Sequence, residues 1–368
     1  MASKVLKSGS QSKSRILKHV SEGDELILGA DVHKKNYHLA ARKNGDLPAT
    51  WVMPHDDAAL VKSLLPVKAS VKRIVYEAGP TGYGLARTLQ ANGFDVRVVA
   101  PGKTPRAANE NNKSDRLDCR KLAEYEEKGI LGYVSIPTEE EDNSRALLRR
   151  YDGLKKEAAK PKVRIKSFLL YHDLREPEGL KSWSCSSIAS LRTMELPLKL
   201  RLLLDSLLRS LDFTREEIAR LQKHLNQITG QENSEEEKLL RTHPGVGPQT
   251  ALHVLNELFC PKRFRDKRQV AAYVGLAPKV SRSGESSRKG GRLRGGRQAL
   301  RNCLIEASWQ WIRLDPGARM AYQRLLQNTG EANKAITAMA RRMIINLWSM
   351  LCSGEKYRPM PVTHRKRV

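Results

Sequence analysis

Cysteine, aromatic side chains and long apolar runs are all scarce in this 368-residue chain, and each shortage removes a class of protein. The five cysteines, Cys119, Cys185, Cys260, Cys303 and Cys352, form no CxxC pair and have no histidine at ligand spacing. A zinc site and a disulfide framework are both excluded on that pattern, which points to a reducing compartment. No apolar stretch approaches the roughly 20 residues of a membrane span, and the opening MASKVLKSGSQSKSRILKHV lacks the apolar centre of a signal peptide. The expected placement is cytoplasmic, on the chromosome, with no membrane partner. Aromatics make up only 5% of residues, too few for stacking on single-stranded bases to dominate. Acid is short as well: 40 Asp+Glu face 66 Lys+Arg, leaving a formal charge of +26. That excess is far beyond what solubility needs and predicts a polyanionic partner, nucleic acid first, because each cation that meets a phosphate releases counterions.

Against this basic background four carboxylates stand out. Asp31 closes the apolar run ELILGAD, Glu77 closes VKRIVYE, and Asp115 and Asp118 follow three residues apart. The last two share one helix face. Two divalent ions on carboxylates can activate one phosphodiester oxygen and stabilise another, which requires acidic ligands arriving from different elements at one point. Carboxylates suit magnesium and manganese alike. Taken singly, each of the four has a plainer reading as a solvated turn residue.

A length of 368 residues predicts more than one domain. Residues 1–24 read as a flexible basic arm. In 25–142, ELILGAD and YHLAARK form a hairpin and TWVMP a third strand; a helix over Asp56–Leu65, the strand VKRIVYE, the helix GYGLARTLQANG and the strand FDVRVVAP follow. Three hairpin-linked strands and then alternation predict an α/β fold, a mixed sheet of the ribonuclease-H-like kind with helices on its faces. Lys113–Glu127 has apolar residues at helical spacing behind Ser114 and Asp115, good first-turn residues. Residues 143–235 change to long charged helices, broken near Pro161, and are expected to form a coiled-coil connector or dimerising element. The remainder is mainly helical: a domain over 236–354, then a frayed basic tail over 355–368. HPGVGPQT, from His243 to Thr250, has the form of a helix-hairpin-helix, in which Gly245 and Gly247 let backbone amides meet a phosphate; the alternative is a plain tight turn. His243 reads as structural on either view. Trp309 reads as a core residue.

The motifs GADVHK, VYEAGPTGYGLARTL, NKSDRLDCRKLA, HPGVGPQTA and VAAYVGLAPKVSRSGESSRKGGRLRGGRQALR resemble, in order, those of the DEDD-type transposases of insertion sequences, relatives of the Piv-type DNA invertases. The resemblance spans about residues 25–350. It implies a RuvC-like first domain with Asp31, Glu77, Asp115 and Asp118 as metal ligands, a coiled-coil connector, and a transposase domain whose serine attacks DNA. It also implies a structured bridge RNA that chooses donor and target DNA.

Family members carry Ser-Ser-Gly-Gly after a Gly-Leu-x-Pro turn; here Arg282-Ser283-Gly284-Glu285 follows Gly275-Leu276-Ala277-Pro278. Ser283 is therefore the candidate nucleophile, with Ser281 and Ser286 as alternatives because Arg282 and Glu285 depart from the pattern. The Ser/Gly/Arg loop holding them runs through Arg297, and its Arg282, Arg288, Lys289, Arg292 and Arg294 are expected to meet phosphate. A flexible phosphate-binding loop without a nucleophile is the plainer reading. The expected protein is a recombinase that dimerises and forms a tetramer on DNA. Its rivals are a structure-specific nuclease using water and a non-catalytic nucleic-acid-binding protein.

Overall fold

A computed structural model describes residues 19–46, 49–100, 115–232, 234–283, 286–292 and 295–360. The chain divides into two compact units, Met1–Thr138 and Glu139–Val368.

The first unit is built on a six-stranded mixed sheet with the order β3-β2-β1-β4-β5-β6. The strands are β1 (Leu26–Val32), β2 (Asn36–Lys43), β3 (Ala49–Pro54), β4 (Val71–Glu77), β5 (Val96–Val99) and β6 (Tyr133–Val134). β1, β2 and β3 pair antiparallel, β1, β4 and β5 pair parallel, and β6 returns antiparallel to β5. This is the mixed sheet that three hairpin-linked strands followed by alternation predict. The crossovers are α1 (Asp57–Leu64) and α2 (Gly84–Ala91), and α3 (Asp115–Glu127) leads to β6. The Asp56 carboxylate caps α1 by accepting the Ala59 amide at 2.9 Å.

Period-two alternation sorts the strand residues onto two faces. Leu26, Leu28, Ala30, Tyr37, Leu39, Ile74, Tyr76, Val96 and Val98 bury together with Leu60 and Leu64 of α1 and Leu85 and Leu89 of α2. On the opposite face Val75 and Val99 pack with Leu122 of α3 and Leu131. A sheet covered on both sides needs apolar residues at both phases of its central strands, and β4 supplies them.

The second unit is helical: α4 (Glu139–Glu157), α5 (Ala159–Tyr171), α6 (Cys185–Thr193), the 35-residue α7 (Leu198–Glu232), α8 (Ser234–Arg241), α9 (Pro248–Leu258), α10 (Lys267–Val274), α11 (Gln298–Leu314), α12 (Pro316–Thr329) and α13 (Ala332–Ser353). Its two strands, β7 (Pro278–Ser283) and β8 (Ser286–Arg292), form a hairpin. The helix break lies at Ala158, three residues before Pro161, which occupies the first turn of α5 where its missing amide costs nothing. One core gathers Ile165, Phe168, Trp183, Leu191, Leu204 and Leu208 from α5 to α7. A larger core joins α8 to α13 around Trp311, Met339, Met343 and Leu347.

Two expectations are corrected here. Trp311, not Trp309, is the core tryptophan: Trp309 is 41% exposed and Trp311 fully buried. Trp311 is in phase with buried Leu300, Leu304 and Ala307 on α11, whereas two residues of helix turn Trp309 away from that stripe. The tail is not frayed as far as Met360, because Tyr357 donates to Asp315 at 2.6 Å and packs on His243 and Trp311.

Candidate active site

The parallel pairing of β1 and β4 sets Ala30 opposite Tyr76, so Asp31 and Glu77 are the next residues at the carboxyl ends of neighbouring strands. Ala30 and Tyr76 face α1 and α2. Alternation therefore turns Asp31 and Glu77 to the other face, the one covered by α3.

Gly29 explains how closely α3 can approach. A β-carbon there would lie 2.0 Å from the Cys119 carbonyl oxygen and 2.8 Å from the Ala123 amide nitrogen, so helix backbone rests on strand backbone. Asp118 immediately precedes Cys119 and is half-buried, and Asp115 begins the helix. The far end of α3 is pinned by charge. Arg73 donates to Glu126 at 2.7 Å, Tyr133 donates to the other Glu126 oxygen at 2.7 Å, and Arg42 pairs with Glu127 at 2.8 Å. Since Arg73 lies in the first half of β4 and Gly29 precedes Asp31, α3 runs against the strands and brings its N-terminal end to their carboxyl ends.

Sequence reasoning missed two neighbours of Asp31. The His33 ring nitrogen Nε2 lies 3.0 Å from Asp31 Oδ2. His38 is the direct partner of Asp31 across the β1–β2 pair, and its ring meets His33 edge-on at 5.5 Å. The signal was present: His33 is two residues from Asp31, just past the end of β1, and the hairpin register brings His38 opposite. Cys119 beside them is no nucleophile, since burial and the Asp31 charge push its thiol up to about 11. Among the described residues, no three of His, Cys, Asp and Glu converge on one ion position. For Asp115 the description covers the backbone only. Asp31, Glu77 and Asp118 are oxygen donors carried on three elements, the ligand type a hard divalent cation takes, but as placed the three do not close on one point.

Ser283 belongs to the second unit. Its segment is an ordered hairpin rather than a loop, with Ser283 opposite Ser286, Arg282 opposite Ser287, Ser281 opposite Arg288 and Val280 opposite Lys289. Pro278 stands opposite Arg292 at the base of the hairpin. For Arg282, Arg288, Lys289 and Arg292, as for the serines, the description is of backbone; Gly284, Glu285 and Arg294 lie outside the described residues. Ser283 thus ends the first strand at the hairpin turn. The alternation of Ser, Arg and Gly carries no apolar face, which is why the pattern read as a loop.

The helix-hairpin-helix candidate divides into two unlike glycines. A β-carbon on Gly245 would fall 2.4 Å from the Ala307 carbonyl oxygen, so this glycine lets the turn pack on α11. Gly247 has open space around it and caps the N-terminus of α9. His243 is 1% exposed, with its ring against Trp311 and Tyr357, and burial lowers its pKa to about 4.

Comparison with known proteins matches both units. Residues 28–172 match the DEDD transposase domain of IS110 type, and residues 237–323 match the transposase domain of the IS116/IS110/IS902 family. The chain is 28% identical over 317 residues to y4rJ of Sinorhizobium fredii, a transposase by name, covering 76% of this chain and 77% of the relative. It is 26% identical to the transposase for insertion sequence element IS1533 of Leptospira borgpetersenii, over 78% of this chain and 85% of that protein. It is 24% identical to the transposase for insertion sequence element IS1111A of Coxiella burnetii, over 91% and 92%. A match to a DEDD-type transposase domain, which suggests a divalent metal, thus covers most of the sheet domain, and a match to a second transposase domain, of the IS116/IS110/IS902 family, lies in the helical region; together they support a DNA-processing enzyme, the transposase of an insertion sequence.

Proposed function

We propose that this transposase cuts and rejoins DNA through a phosphoserine intermediate, with Ser283 as nucleophile and a RuvC-like carboxylate site, Asp31, Glu77, Asp115 and Asp118, holding magnesium. The observation that carries the reading is the adjacency of Asp31 and Glu77 at the ends of parallel strands, on the face where α3 brings Asp118. When bound, the cation supplies Lewis acidity at a phosphate oxygen. The chain's own residues do the rest. The Ser283 hydroxyl attacks phosphorus, an Oγ–P bond forms, the bond to one DNA oxygen breaks, and the departing oxygen takes the proton that serine gives up. In the reverse direction a DNA hydroxyl attacks the phosphoserine, frees Ser283 and joins new strands. Arg282, Arg288, Lys289, Arg292 and Arg294 on the hairpin segment offset phosphorane charge, and the amide at Gly247 receives a backbone phosphate.

Transposition implies DNA binding. A guide RNA is a second nucleic-acid partner in this reading, implied by the family resemblance alone; the charge of +26 and the 5% aromatic content fit contact with any polyanion through phosphate and shape. Strand exchange needs several sites together, so the active form is a dimer or tetramer. Asp31→Asn and Ser283→Ala, assayed for covalent protein–DNA adduct on DNA bearing element ends, test the proposal. Both should abolish the adduct. Nicking that persists in Ser283→Ala and is lost in Asp31→Asn would favour the rival reading, a water-using nuclease whose catalytic groups all lie in the first unit.

A further inference from the structure

The base of the Ser283 hairpin is locked in a way that its tip chemistry would require. The chain enters the hairpin through Val274-Gly275-Leu276 and leaves it through Gly295-Gly296-Arg297. These two stems touch without an intervening side chain. A β-carbon on Gly275 would lie 2.2 Å from the Gly295 carbonyl oxygen, and one on Gly296 would lie 2.4 Å from the Val274 carbonyl. Both glycines sit at positive φ, +76° and +68°. Arg301, only 7% exposed, donates to the carbonyls of Val274, at 3.2 Å, and of Gly295, one from each stem.

Arg297 then ties the closed base to the helices below. Its Nε donates to Glu257 of α9 at 2.8 Å and its Nη2 donates to Asp152 of α4 at 3.4 Å. Glu257 is 1% exposed and Asp152 9%. His253, also 1% exposed, lies 3.5 Å from the other Asp152 oxygen. Burial and the nearby cations Lys155 and Arg297 hold His253 down to about 4, so it is neutral, and burial raises Asp152 above the usual carboxylate range. The second Glu257 oxygen is buried with no hydrogen-bond partner among the described residues. Such a set costs desolvation that apolar residues of the same volume would avoid. What it adds is direction, because a planar guanidinium shared between two fixed carboxylates admits one orientation.

We infer that Arg297 and Arg301, with Glu257 and Asp152, are positioning residues that aim the Ser283 hairpin; this rests on the reading of Ser283 as nucleophile. The six residues of β7 span about 17 Å at about 3.4 Å per step, so a tilt of about 4° at the base moves the tip about 1 Å. A displacement of that size costs a reacting group about 100-fold in rate.

The test uses the full-length protein with DNA bearing element ends. Arg297→Ala is expected to speed amide exchange across residues 278–292 by at least about tenfold, to slow adduct formation about 100-fold, and to leave DNA affinity unchanged. Arg297→Lys, which keeps the charge without the fork, should fall between. If Arg297→Ala does not fold, Glu257→Gln, which keeps the shape and removes the charge, must still speed exchange in the hairpin. Unchanged hairpin exchange in the folded variant overturns the inference. An adduct surviving in Ser283→Ala would instead overturn the nucleophile assignment, while hairpin exchange in Arg297→Ala would still decide the clamp.

Discussion

At the scale of single residues, burial dictates protonation and so gives the fold a pH dependence. His243 ionises near 6.5 when unfolded but only near 4 inside its ring cluster with Trp311 and Tyr357. Between those values the unfolded chain takes up a proton that the folded chain refuses. The stabilisation is therefore complete above pH 6.5 and lost as pH falls toward 4, by about 1.4 kcal/mol per pH unit for this one group. His253 acts in the same direction; Asp152, with its raised pKa, opposes it. Urea unfolding at about pH 7.5 and about pH 5.5 should show weaker folding at the lower pH, and His243→Gln should shrink the difference by one group's share. An unaltered difference in that variant would refute the assignment of His243.

At the scale of elements, the placing of α3 decides whether Asp118 and Asp115 reach the strand ends. Its seat is backbone against backbone at Gly29, where even a methyl group would meet the Cys119 carbonyl oxygen at 2.0 Å. Gly29→Ala is expected to lift α3, destabilise the first unit by about 1–3 kcal/mol, and weaken magnesium binding in calorimetry toward the level of Asp31→Asn. Wild-type magnesium affinity in Gly29→Ala would contradict this role for the helix. The strands that carry Asp31 and Glu77 were legible in the sequence because ELILGAD and VKRIVYE are apolar runs ending in acid, and the mixed character of the sheet followed from the connections. The serine hairpin was not legible as strands, because its pairing is satisfied by backbone and by the close approach of Gly275 to Gly295 and of Gly296 to Val274, while its residues are mostly Ser, Arg, Lys and Gly. Trp309 and Trp311 differ by two residues on one helix, and only the phase set by Leu300, Leu304 and Ala307 separates core from surface. The Asp152–Glu257–Arg297 set was hidden for a different reason: its members lie 40 and 145 residues apart and share no local pattern.

At the scale of the whole molecule, a charge of +26 suits a polyanion, and the proposed strand exchange adds a requirement for self-association. Helix α7 offers a surface for the second. Leu198, Leu202 and Phe213 are 73%, 57% and 62% exposed, and they recur close to the helical period along one side. Exposed apolar stripes of this kind mark interaction surfaces. Replacing Leu202 and Phe213 by Ser should shift sedimentation toward monomer and leave thermal unfolding unchanged, since neither side chain is in a core. Undiminished association in that variant would direct the search for the dimer contact elsewhere on the molecule.

In the proposed mechanism the chemistry is divided, with carboxylates on the sheet of the first unit and the serine hairpin in the helical second. The most direct test of that division is to trap the covalent protein–DNA adduct on DNA carrying element ends, digest both components and map the modified peptide by mass spectrometry. The expected result is a nucleotide phosphate on Ser283, absent from Ser283→Ala and from Asp31→Asn. A nicked product with no adduct, made equally well by Ser283→Ala, would contradict it.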